Sequence, residues 1–301
     1  MWPLDPDVGL YIGCAVDRVA ENEDEVIELT RQFLSFLPAR VGELPPVRTN
    51  GDPADRRDEE LLSIIPRDRR RLYDMRRVID LVVDRQSFLE LSPLYGRSQI
   101  TGLARADGFT VGIFANDPHF LGGAMGAEGA QKVKRFINLC QTFHLPIVSL
   151  VDEPGFMIGS ASEAAGTIRY GVETICATVE STVPWISIHV RKAYGVAAAA
   201  HFGPGGYLLA WPSAESGALP IEGGVAVAFR REISQAPDPE AKRRELEEEF
   251  AKGRTPFPRA ESFSVHDLID PRDTRPQLCR WLQLAQPLLE EEARRASFRF
   301  H

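Results

Sequence analysis

The 301-residue chain is 44% hydrophobic and 26% charged, ordinary values for a folded protein with length enough for one large or two modest cores. Its 43 acidic against 35 basic side chains give a net charge of −8, which disfavours a nucleic-acid or anionic-membrane partner and obliges any anionic ligand to find local positive charge or oriented backbone N–H groups. No apolar run approaches the roughly 20 residues of a membrane span, "MWPLDPDVG" lacks the basic-then-apolar pattern of a secretion signal, and Cys14, Cys140, Cys176 and Cys279 are too scattered for a zinc knuckle or a redox pair. A cytoplasmic protein with reduced, mostly buried thiols is expected.

Residues 21–37 place Val26, Leu29, Phe33 and Leu37 on one helical face, with acidic residues in the first turn where the helix dipole favours them. Pro38 ends that helix, and the Pro-, Gly- and charge-rich stretch that follows predicts an exposed connector. The expected division is therefore a helix and linker over 1–58 and a main body over 59–301. In the body, "ITGLARADGFTVGIFAND" predicts a hairpin about Asp107-Gly108. A helix at about 128–143 would bury Ala130, Val133, Phe136, Ile137, Cys140 and Phe143 and show Lys132, Lys134 and Arg135 to solvent. "PIVSLVD" and "WISIHV" do not alternate, so they read as strands covered on both faces, and "YLLAW" as a third. Ser160 and Glu163 form a capping-box pattern opening a helix whose buried stripe would be Ala164, Ile168, Val172, Ile175 and Val179, with Gly166 and Gly171 admitting a close neighbour. Another helix starts at about 222, and residues 238–253, with Leu246 and Phe250 as their main apolar positions, read as a solvated surface helix. Strand, glycine turn and helix repeat, which predicts an α/β fold with ligand sites at strand C-termini.

Two glycine turns follow the covered strands. In "RKAYGVAAAA", Gly195 precedes helix-compatible residues, so the N–H groups of Val196 and Ala197 would be unpaired donors able to form an oxyanion hole, or else the start of a packed alanine-rich core helix. In "DEPGFMIG", Gly155, Phe156 and Gly159 form either a ligand-facing turn, with Phe156 against a flat ligand, or an ordinary strand-to-helix turn. Asp152 and Glu153 are adjacent on a strand and point to opposite faces, which suits capping or turn roles better than paired acid–base work. Arg191 and Lys192 supply positive charge near a ligand or pair on the surface; His189 and His201 read as satisfied core or surface histidines. No nucleophile elbow, zincin, Walker or dinucleotide fingerprint occurs.

Taken in order, "YDMRRVIDLVVD", "ITGLARADGFTVGIFAND", "KVKRFINLCQTFHLPIVSLVDEPGFMIG", "EAAGTIRYG", "RKAYG", "AWPSAE" and "IDPRDTR" resemble the biotin-dependent acyl-CoA carboxyltransferase family, the β subunits of propionyl-CoA carboxylase and its relatives, over the C-terminal half of such a subunit. The resemblance implies a crotonase-like (ClpP/crotonase) ββα-spiral domain. It implies transfer of a carboxyl group between carboxybiotin and the α-carbon of an acyl-CoA, with the ureido anion taking the α-proton and backbone donors holding two oxyanions. Gly195, Val196 and Ala197 would form the oxyanion turn, and Gly155, Phe156, Gly159, Tyr194, Ala198 and Ala199 would line the biotin and substrate site. Neither a metal nor a nucleophilic serine is required. The implied partners are an N-half carboxyltransferase chain, a biotin carboxyl carrier protein bearing the biotin and a biotin carboxylase, in a homo- or hetero-oligomer. Val196 stands where many members have a second glycine. The competing readings are a biotin-dependent decarboxylase component, a non-catalytic structural half of such a complex, and a truncated reading of a longer gene.

Overall fold

The computed structural model describes residues 16–40, 42–69 and 71–298. Cys14 and the N-terminal stretch read for a secretion signal lie outside them.

The first helix, α1 (Glu23–Ser35), is capped by Asn22, whose side chain accepts from Glu25 N, and carries Glu23, Asp24 and Glu25 in its first turn. Phe36, just beyond it, is fully buried, and Leu29, Phe33 and Leu37 pack beside it against the body. The connector that follows is pinned by charge. Arg275 is buried, donates to the carbonyls of Asp52, Pro53 and Val82, and lies 2.7 Å from Asp84. Helix α2 (Met75–Val82) buries Met75, Val78, Ile79, Leu81 and Val82.

A mixed sheet of eight strands organises the rest. Strands β1 (Leu89–Leu91), β2 (Gln99–Ala106) and β3 (Phe109–Asn116) are antiparallel, and β2 and β3 close on Asp107 and Gly108, both at positive φ, as the predicted hairpin requires. After α3 (Ala127–Thr142) come β4 (Ile147–Glu153), the helices α4 (Ser160–Ala164) and α5 (Thr167–Val179), and β5 (Trp185–Tyr194). Strands β6 (Tyr207–Ala210) and β7 (Glu215–Gly217) pair with β5, and β8 (Asp267–Leu268) pairs with β6. From β3 onward all the pairing is parallel, in the order β3-β4-β5-β6-β8 with β7 beside the end of β5. Between β7 and β8 lie α6 (Ile221–Ala228), α7 (Arg230–Gln235), α8 (Pro239–Lys252) and α9 (Phe257–Glu261); α10 (Thr274–Phe298) ends the described chain.

The covered strands have a simple cause. Val148 and Leu150 of β4 face a core built with α2 and α10, while Ile147 faces the core built with α3 and α5, so both faces of the strand are apolar. Helix α3 buries Ala130, Val133, Phe136, Ile137 and Cys140 as expected. Helix α8 buries Leu246 alone, which accords with a solvated helix. Cys140 and Cys279 are buried and Cys176 is exposed. Among the described residues no helix is long and apolar enough to cross a membrane.

Four expectations need correction. The stripe on α5 is not buried: Ile168, Val172 and Val179 are exposed, and Thr167, Gly171, Thr174, Ala177 and Thr178 face inward. The helix after Gly159 is two helices broken at Gly166, which adopts the left-handed conformation; its N-cap is Gly159, with no side-chain cap, so the Ser160–Glu163 box is not made. Lys132 is buried, because its ammonium donates to the carbonyls of Ser92 (2.9 Å) and Gln99 (2.7 Å). Arg191 is buried as well and does neither job foreseen for it, donating instead to the carbonyls of Asp68, Arg69 and Arg71.

Candidate active site

Strands β4 and β5 run side by side from Ile147 opposite Trp185 to Val151 opposite His189, then shift so that Glu153 faces Ala193. Parallel pairing makes both strands end on the same edge of the sheet, so the Pro154-Gly155 turn and the Gly195-Val196 turn leave it next to each other. A Cβ on Gly155 would lie 3.9 Å from Tyr194 O. Gly195 has φ 63°, donates its N–H to Gly217 O at 3.0 Å, and leaves room for a Cβ only 3.3 Å from Ala218 O, so the turn needs glycine both for its conformation and for the approach of the chain after β7.

Beyond Gly195 the chain makes a five-residue 3-10 turn, Ala197–His201, rather than an α-helix. So short a turn contributes oriented N–H groups and little macrodipole. Its first bond runs from Ala199 N to Val196 O (3.0 Å), and the amides of Val196 and Ala197 make no hydrogen bond among the described residues. Val196 is 67% exposed; Gly195 and Ala199 are exposed too, whereas Tyr194, Ala197 and Ala198 have buried side chains. The guanidinium of Arg254 lies 5.8 Å from the Tyr194 ring.

The neighbouring turn is held by Met125, whose N–H donates to Gly155 O (3.1 Å) and whose carbonyl accepts from Met157 N (2.9 Å). Phe156 turns inward, and a Cβ on Gly171 would come within 2.4 Å of its ring, so the missing side chain of Gly171 is the seat for Phe156. Gly159 is exposed and Gly155 half-buried. The strand ends thus bring Gly155, Gly195, Val196 and Ala197 together, while the ring of Phe156 belongs to the packing beneath them.

Under both turns lies a buried polar layer. The Glu153 carboxylate accepts from Gly155 N (2.9 Å) and from Asn116 Nδ2 (3.0 Å), and Asn116 Oδ1 accepts from Asp152 N (2.9 Å). Asp152 accepts from the Tyr73 hydroxyl (2.9 Å) and Lys192 N (3.1 Å). Glu153 therefore does hold a turn, as expected, but from inside the protein, whereas Asp152 caps no turn and instead ties Tyr73 to the backbone of β5. Burial raises both carboxyls, Glu153 to about 8. His201 stacks on Phe114, with centroids 4.0 Å apart, and its Nδ1 lies 2.8 Å from Ser149 Oγ. Its Nε2 makes no hydrogen bond among the described residues, lying 3.6 Å from Glu153 Oε2. Burial pushes His201 down to about 3, so the contact with Glu153 is not an ion pair of two charges. His189 is likewise buried and pushed down to about 3 by burial, with Nε2 3.2 Å from Glu215 O. Asn116 and Tyr73 had no place in the sequence reading; an Asn closing the otherwise apolar run of β3 was the available signal for the first. Among the described residues no cluster of three or more His, Cys, Asp or Glu is arranged to hold a metal.

The profile of the carboxyl transferase domain family matches residues 10–297. The chain belongs to this family. It is 38% identical over 280 residues to the methylmalonyl-CoA carboxyltransferase 12S subunit of Propionibacterium freudenreichii subsp. shermanii, covering 88% of this chain and 51% of that protein. It is 37% identical over 277 residues to the methylmalonyl-CoA decarboxylase subunit alpha of Veillonella parvula, covering 91% and 53%. The crystal structure of transcarboxylase 12S, a hexamer with methylmalonyl-coenzyme A and methylmalonic acid bound, superposes with a TM-score of 0.84 at 36% identity over 93% of this chain and 55% of that one. The fold is therefore crotonase-like, as the sequence led us to expect. The chain spans about half the length of the curated relatives it matches.

Proposed function

We propose that the chain is the C-terminal half of a biotin-dependent acyl-CoA carboxyltransferase, moving a carboxyl group between carboxybiotin and the α-carbon of an acyl-CoA. In this reading residues 1–58 are its leading helix and linker and 59–301 the domain proper. One observation carries it in a chain of this family: two glycine turns meet at the ends of adjacent parallel strands, and the second presents the unbonded amides of Val196 and Ala197 beside exposed Gly195. Biotin on a carrier protein supplies the carboxyl group and an anionic ring oxygen. The chain's part is electrostatic: Val196 and Ala197 donate to that oxygen, with each such donor worth about 3 kcal/mol of transition-state stabilisation. Gly155, Gly159 and Ala199 bound the approach, while Tyr194, Ala198 and Phe156 support the turns from behind.

The acyl-CoA side of the site calls for an N-half chain. The exposed stripe of Ile168, Val172 and Val179 on α5 is the surface offered to it, together with Ile158 and Val196 in the strand-end turns. A biotin carboxyl carrier protein and a biotin carboxylase complete the set, in a cytoplasmic hetero-oligomer. The nearly equal identity to a decarboxylase subunit favours a second reading, removal of the carboxyl group from a carboxylated thioester. The test is reconstitution with an N-half chain. Acyl-CoA-dependent loss of carboxybiotin, with the carboxylated thioester as product, supports the first reading. Release of CO2 from a carboxylated thioester with no flux in the other direction supports the second, and no turnover with a partner that is active beside an authentic C-half refutes both.

A further inference from the structure

Glu153 and His201 are both fully buried, and each belongs to one of the two turns. Glu153 ends β4 and grips Gly155 N through Oε1; His201 closes the 3-10 turn that Val196 opens. Below, His201 is fixed on three sides, by the Phe114 ring, by Ser149 Oγ at Nδ1, and by its own carbonyl, which accepts from Trp185 Nε1 (2.9 Å) and Ser187 Oγ (2.7 Å). What remains without a partner is Nε2 of His201, which faces Oε2 of Glu153 at 3.6 Å, the oxygen that also accepts from Asn116 Nδ2 (3.0 Å).

We propose that Glu153 and His201 are positioning residues that share one buried proton between Oε2 and Nε2, and through it couple the Gly155 turn to the Val196–Ala197 turn. The proton count follows from Ser149. If Ser149 Oγ accepts from Nδ1, then Nε2 is bare and Glu153 carries the proton; if Ser149 donates to Nδ1, then Nε2 carries it and Glu153 is ionised. In both forms one proton stands between the two atoms. Burial favours the first form below about pH 8. Above it, Oε2 loses its proton to solvent, His201 moves its remaining proton from Nδ1 to Nε2, and Ser149 changes from acceptor to donor. No other bond is made or broken. The titratable and charged groups around the pair are Asp152 on β4, held by Tyr73 and faced by Arg191 and Lys192, and His189 on β5. The catalytic consequence, a rate that follows this proton, rests on the carboxyltransferase reading; the coupling of the turns does not.

The experiment is a pH titration of the intact protein followed by infrared difference spectroscopy and by the amide and imidazole 15N resonances of Gly155, Val196 and His201. A buried carboxylic-acid C=O band should disappear with a midpoint near 8 and be absent from Glu153→Gln. The His201 tautomer and both amides should shift with the same midpoint. In His201→Phe, which keeps a ring against Phe114, the Val196 shift should vanish while the Gly155 shift stays. A band unaffected by Glu153→Gln overturns the proposal, as does a Gly155 transition that Val196 does not share. Should either variant fail to fold, the matched or unmatched midpoints of the wild-type protein decide alone. In the reconstituted enzyme the transfer rate should change with the same midpoint and lose that change in Glu153→Gln; absence of any transfer refutes the carboxyltransferase reading and leaves the spectroscopic result to judge the proton.

Discussion

In the proposed carboxyltransferase site, Val196 supplies one of the two backbone N–H donors, and that donor can be removed alone. Its φ of −73° is one that proline also adopts, and its amide is not used within the protein, so Val196→Pro deletes the donor with little loss of folded hydrogen bonding. The expected outcome is a drop in kcat on the order of 10²–10³-fold in the reconstituted enzyme. Val196→Ala, which keeps the N–H, should stay near wild type, and a thermal melt should separate the two effects. A glycine turn after a covered strand was legible in the sequence, but the small residues beyond it also allowed a packed alanine-rich helix, and the chain makes a 3-10 turn instead. The layer beneath was not, since the distance from Glu153 to His201 depends on the register of β4 against β5 and on the path of the turn beyond β5, neither of which a local pattern states. Glu153 allows a second measurement. Its carboxyl is raised to about 8 by burial, so the folded state keeps a proton that the unfolded state releases in the ordinary carboxylate range. Stability from this group is therefore present in acid and lost as pH rises toward 8, by on the order of a few kcal/mol. Urea unfolding at a series of pH values should show that decline in the wild type and a flatter profile in Glu153→Gln.

Helix α5 shows what periodicity can and cannot carry. The spacing of Ile168, Val172, Ile175 and Val179 located the helix correctly, and its apolar stripe was real, but a stripe says only that water is unfavourable there, not which surface removes it. The face that meets the sheet layer is made of small residues because α3 and Phe156 come close: Thr174 Oγ1 donates to Ala130 O at 2.7 Å, and Gly171 admits the Phe156 ring. Gly171→Ala puts a methyl group within 2.4 Å of that ring and should cost about 1–3 kcal/mol, read as a shift in the urea midpoint, with Phe156→Leu in the same chain recovering part of it. The buried Lys132 illustrates the same limit. A lysine on the inner edge of a helix reads as solvated until two carbonyls, Ser92 and Gln99, are found converging on it across the chain.

The molecule as a whole is a sheet with two covered faces and one edge of strand ends, and some of its exposed apolar side chains lie in the turns at that edge. Ile158 is 83% exposed in the turn after β4, Val196 is exposed in the turn after β5, and the crossover helix α5 exposes Ile168 and Val172 on its way back from the first of these turns. Exposed apolar residues on α5 and in the strand-end turns suit a surface that the proposed N-half chain covers, and the chain spans about half the length of its relatives. Charge placed in the stripe tests this directly. Ile168→Glu with Val172→Glu alters two exposed side chains, so the fold should survive with a thermal midpoint close to wild type. Association with the N-half chain should weaken by at least tenfold in a sedimentation or light-scattering titration, because each carboxylate would have to be stripped of water against an apolar partner. If the doubly charged chain binds its partner as tightly as the wild type, the α5 face is not the interface, and the partner must be sought on another surface of the sheet.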